Sequence, residues 1–137
     1  MENEIIFLCF LWGTFTITRI SAHLFHDYEN YNKSYPRKSK AKTMTGYLRR
    51  KTGFDWHHIH LGIVLIVISP IILKFNYRIS LIILAIGVSL FSDQIFPLLN
   101  FGNYFKKKMF FTSILIHITI SLLVLVKILL TFFKLAN

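Results

Sequence analysis

Cysteine is almost missing from this chain: Cys9 is the only one among 137 residues, so no disulfide can close within it and no cysteine-based zinc site can form. Acids are scarce as well, with 6 Asp and Glu against 16 Lys and Arg, leaving a formal charge of +10. Proline (3) and glycine (6) are few, so little breaks the long apolar runs. No internal repeat is present. The first apolar run is preceded by Glu2 and Glu4 and followed by no small-residue cleavage site, so a cleaved signal peptide is not expected.

What fills the space is hydrophobic. The chain is 54% hydrophobic with a mean hydropathy of +0.54, which excludes an ordinary small soluble domain and points to the membrane. The basic surplus then reads first as loops facing anionic lipid headgroups, with nucleic acid the less favoured partner.

Four apolar segments, at about 5–25, 56–75, 79–99 and 110–133, each approach the ~20 residues a bilayer requires. The expected fold is all-α: an integral membrane protein forming one domain over 1–137, an antiparallel bundle of four transmembrane helices. The first connection, about 27–55, carries Lys33, Arg37, Lys38, Lys40, Lys42, Arg49, Arg50 and Lys51. The third carries Lys106, Lys107 and Lys108, whereas the second is a tight turn around Asn76. The positive-inside rule therefore makes the first and third connections cytoplasmic and places both termini of this multi-pass cell-membrane protein outside. Within the first loop, residues 38–51 are candidates for a short surface helix.

That orientation puts most polar groups of the apolar segments at one depth. Arg19, His23, His26 and Asp27 lie near the inner end of the first segment. His57, His58 and His60 open the second, Ser92, Asp93 and Gln94 close the third, and His117 lies about 10 Å into the fourth. Thr16, Arg19, His23 and His26 follow helical spacing and predict one stripe. His57 and His60 share a second face, with His58 turned away. Asp55 is the expected N-cap of the second helix, with Phe54 and Ile59 as a hydrophobic staple. Pro97, four residues after Asp93, removes the helical donor to the Asp93 carbonyl, so something else must satisfy that end.

Neutral imidazoles beside a carboxylate form a ligand set for zinc or non-haem iron. The expected metal ligands are His23, His26, His57, His60 and Asp93, with His58 and Asp27 as a second tier. Arg19 and Asp93 are the expected catalytic groups, Arg19 holding an anion or neutralising the aspartate. His117 reads as a packed, hydrogen-bonded residue rather than a ligand. Haem between facing helices is the weaker cofactor alternative.

The pair His23-Leu24-Phe25-His26 and His57-His58-Ile59-His60 resembles the histidine boxes of membrane fatty-acid desaturases and hydroxylases. The resemblance covers those two short pieces only, lacks a third box, and assigns no family. The functional expectation is a metal-dependent membrane enzyme, a hydrolase or a non-haem iron oxidoreductase, acting on a lipid-like or amphiphilic substrate. Two other classes stand beside it: a proton- or ion-translocating protein using the His/Asp/Arg cluster, and a non-catalytic subunit or lipid-binding scaffold. Gly13, Gly62 and Gly87 permit close helix contacts, so a homo-oligomer belongs among the candidate partners.

Overall fold

A computed structural model of the chain describes residues 2–25, 44–52, 57–99 and 107–136, the side chain of His23 and some others near helix ends excepted. The described residues form five α-helices and no strand: α1 (Glu2–Phe25), α2 (Met44–Thr52), α3 (His58–Leu73), α4 (Tyr77–Leu99) and α5 (Lys107–Ala136). Three helices, α1, α4 and α5, contain stretches long and apolar enough to cross a membrane. The second expected span is shorter than predicted. At 16 residues α3 covers about 24 Å, just below the ~17 residues needed to span a hydrocarbon core.

Burial runs opposite to that of a water-soluble protein. Among the described residues ten polar or charged side chains are buried, against five apolar ones: Leu11, Phe15, Ile59, Ala85 and Leu90. Large apolar side chains instead point outward, including Ile17, Leu24, Val67, Leu115, Leu123, Leu130 and Phe132. Such a surface is stable only against lipid, because exposing this much apolar area to water is unfavourable.

α4 is the axis of the assembly and packs against α3, α1 and α5, while α1 also touches α5. α3 and α4 form a tight hairpin. Asn76 caps α4 by accepting a hydrogen bond from the Ile79 N–H at 3.0 Å through Oδ1, satisfying one of the donors a helix start leaves open. The two helices then cross at Gly62 and Gly87. A Cβ at Gly62 would lie 2.8 Å from the Phe91 nitrogen and 2.9 Å from the Gly87 oxygen, so only hydrogen fits there. Gly13, by contrast, faces open space. Near the turn, Ser80 donates to the Ser69 carbonyl at 2.7 Å, closing the far end of the same interface.

The hairpin fixes the direction of every helix. Glu2 and Glu4 of α1 lie beside Arg78 of α4 and Lys127 of α5, with contacts of 3.1 Å and 2.9 Å. The start of α3, the last turns of α4 and the first turns of α5 therefore gather at the opposite end, where α1 brings Arg19.

Candidate functional site: a polar seam between three helices

On α5, Ser113, His117 and Ser121 recur every four residues and form one stripe about 12 Å long. Opposite them α1 presents Trp12, Phe15 and Arg19, and α4 presents Ser89 and Asp93. The stripe of α1 that turns inward thus runs through Phe15, which is buried, while Thr16 is exposed. The expected Thr16–Arg19 face is corrected by one position, because the larger apolar ring takes the place against α5.

Arg19 and Asp93 form a salt bridge of 2.5 Å between α1 and α4, with their side chains 10% and 1% exposed. The same guanidinium nitrogen, Nη2, donates to Ser113 Oγ at 2.9 Å, tying in α5. Phe15 and Phe110 flank the guanidinium, its carbon lying 5.5 and 5.2 Å from the two ring centres. Arginine suits this position better than lysine, since its planar, weakly hydrated cation bonds and stacks at once.

The carbonyl that Pro97 deprives of a helical donor has found another. Ser113 Oγ donates to the Asp93 carbonyl at 2.9 Å, so one hydroxyl accepts from Arg19 and donates to the α4 backbone. Ser92 bonds back to the carbonyls of Val88 and Ser89 on the preceding turn.

One turn further along, His117 is fully buried, at 0% exposure. Its Nδ1 lies 2.8 Å from the Ser113 carbonyl, which can only accept, so Nδ1 carries the proton. In the neutral ring Nε2 then accepts from Ser89 Oγ at 3.1 Å. The ring packs against Phe15 and Trp12, centroids 4.4 and 5.6 Å away. Trp12 Nε1 donates to Ser121 Oγ at 2.9 Å, and Ser121 donates to the His117 carbonyl at 2.8 Å. The protons of Trp12, Ser121, His117 Nδ1 and Ser89 thus each have a defined acceptor, which makes this part of the seam a directional network.

The histidines of α3 have a different place. The helix begins two residues later than expected, and its N-cap is His57 rather than Asp55, which lies outside the described residues. The His57 N–H donates to His60 Nδ1 at 3.1 Å, and the His60 N–H bonds the His57 carbonyl at 3.1 Å. His60 therefore uses one ring nitrogen to close the helix start. The two rings stack with centroids 6.1 Å apart. Next to them the Ile59 N–H donates to Gln94 Oε1 at 3.1 Å, which places the start of α3 beside the Asp93 turn.

Of the sequence-predicted site residues, Arg19 and Asp93 are brought together, and His57 meets His60. Among the described residues, no group of three or more His, Cys, Asp or Glu side chains is placed to hold a metal ion. His57, His60 and Asp93 thus do not share one centre, because Arg19 occupies the carboxylate and the α3 cap occupies His60 Nδ1. His58 is half-buried at the same helix start. His26 and Asp27 lie outside the described residues, as does the side chain of His23. Sequence reasoning passed over Ser113, Ser121, Ser89 and Trp12. The four-residue spacing from Ser113 through His117 to Ser121 was the available signal.

No protein-family model matches the chain, and no curated protein or solved structure matches it either.

Proposed function

We propose that this is a small proton- or ion-translocating membrane protein whose working centre is the Arg19–Asp93 pair. The observation that carries the reading is that pair's burial between three helices at the head of a seam of Ser113, His117 and Ser89. A buried ion pair is a poor way to stabilise a bundle, since desolvating two charges offsets most of their attraction. Ionisable groups held inside a membrane therefore mark pathways and gates by default. The network corresponds to a shut state, in which Arg19 neutralises Asp93. Opening requires the guanidinium to leave the carboxylate. Under the charge rule the end bearing Arg19, Asp93 and the α3 histidines faces the cytoplasm, with both termini outside.

The test is flux through purified protein in liposomes under a pH or cation gradient. Wild type should conduct above protein-free vesicles, and Asp93→Asn should reduce that flux at least about tenfold, because the carboxylate that takes up the passing proton or cation is gone even where the gate is loosened. Undiminished flux in Asp93→Asn would dismiss the reading.

A second reading, the metal-dependent enzyme on an amphiphilic substrate, keeps one observation in its favour. His57, His58 and His60 open α3 beside the Asp93 turn, at the end where α1 carries His23 one turn beyond Arg19. Zinc or iron bound near stoichiometrically by purified protein, and lost in the joint His57→Ala and His60→Ala variant, would move the assignment to that class.

A further inference from the structure

We infer that the Arg19 guanidinium is the resident occupant of a sodium site, which it vacates when the ion binds. The inference rests on the translocation reading for its use but on separate geometry for its chemistry. Nη2 of Arg19 sits between two oxygens, Asp93 Oδ1 at 2.5 Å and Ser113 Oγ at 2.9 Å. Ser113 Oγ is also 2.9 Å from the Asp93 carbonyl oxygen, the one that Pro97 leaves without a helical donor. A carboxylate, a hydroxyl and a carbonyl whose helical donor Pro97 removes therefore neighbour one another where α4 meets α5. Backbone carbonyls relieved of their helical donors are groups with which membrane proteins hold alkali cations.

The donor set decides the class of ion. All three groups are hard oxygens, which disfavours soft and borderline metals. Only one carboxylate is present, and calcium sites rely on several, so a single positive charge matches better. The guanidinium itself supplies that single charge in the closed state. Phe15 and Phe110 already flank the guanidinium in this state, and contact with their faces can keep the cation nearby when it leaves the carboxylate. Sodium and Arg19 would then exclude one another at Asp93, and exclusion of this kind links ion binding to movement of α1 against α4.

Thermal unfolding of the full chain in micelles tests this, with NaCl exchanged for choline chloride at constant ionic strength. Replacing the internal cation, Arg19→Gln, should create a saturable sodium response, raising Tm by about 5 °C between trace and saturating sodium. Adding Asp93→Asn should abolish the response, and adding Ser113→Ala should raise the half-saturating sodium concentration about tenfold, the loss expected for one buried oxygen ligand. Equal responses to sodium and choline, or a sodium response that survives Asp93→Asn, would overturn the inference. Should Arg19→Gln fail to fold, equilibrium binding of radiolabelled sodium to the wild-type chain in micelles takes its place. Binding that falls in Asp93→Asn and in Ser113→Ala supports the site, and binding no greater than that of protein-free micelles overturns it. Proton flux that needs Asp93 but ignores sodium would overturn this inference and leave translocation standing. Sodium binding without flux of any ion would support the site and remove translocation.

Discussion

α4 is held by two interfaces of opposite character. Against α3 the contact is shape: Gly62 and Gly87 let the backbones approach until no Cβ fits, and Ser69 and Ser80 close the far end with one hydrogen bond. Against α1 and α5 the contact is charge and directed hydrogen bonds, Arg19 to Asp93, Ser89 to His117 and Ser113 to the Asp93 carbonyl. In lipid the first kind suffices for association, because close packing needs no desolvation of charge. The second is more than stability calls for. An interface that could have been apolar but carries a buried ion pair points to use rather than support.

The sharpest way to break that contrast is to leave half of the pair behind. Asp93→Ala strands Arg19 among Phe15, Phe110 and Ser113, and should destabilise the bundle by about 3–5 kcal/mol in reversible unfolding. Gly62→Ala comes next: its Cβ would press on the Phe91 nitrogen and the Gly87 oxygen, backbone atoms that cannot swing aside. The expected loss is about 1–3 kcal/mol, and the ion response of whatever remains folded should be unchanged. A changed ion response in that variant would show that the two interfaces are not independent.

Smaller effects sharpen the picture within the seam. Ser113→Ala removes a donor from the Asp93 carbonyl and an acceptor from Arg19, for about 1–2 kcal/mol of stability in the same unfolding assay. Ser89→Ala touches only His117 Nε2, and interhelical hydrogen bonds in membranes average about 0.6 kcal/mol. At the other end of the bundle the Glu2–Arg78 pair is largely exposed, so Arg78→Gln should change stability by no more than about 0.5 kcal/mol and lose even that in high salt. A loss at Arg78 larger than that at Ser113 would reverse the ranking of the two ends.

Much of this arrangement could be read from the residues. The boundaries of the apolar segments fall within three residues of the helix ends, because each segment is set off by charges or by Asn76. A short helix expected within 38–51 is present as α2, at Met44–Thr52, one residue past that range. Arg19 and Asp93 stood out as charges in apolar runs, and the proline four residues on flagged the carbonyl that Ser113 now serves. Ser113 itself did not stand out. A serine in an apolar helix closes its own hydrogen bond to the preceding turn, as Ser121 does, so its sequence carries no sign of a partner elsewhere. The shared depth of the α3 histidines was legible, but their use was not. His60 Nδ1 closes a helix start, and that depends on where the helix begins, a boundary that shifted from Asp55 to His57.

The most direct test of the seam's purpose is to make it apolar. Arg19→Met combined with Asp93→Leu leaves no charge to desolvate, and such replacements are typically neutral or stabilising by about 1–4 kcal/mol. In liposomes carrying this variant, folded and at least as stable as wild type, ion and proton flux should fall to that of protein-free vesicles. Flux that continues at the wild-type rate would mean the Arg19–Asp93 pair is scaffolding after all.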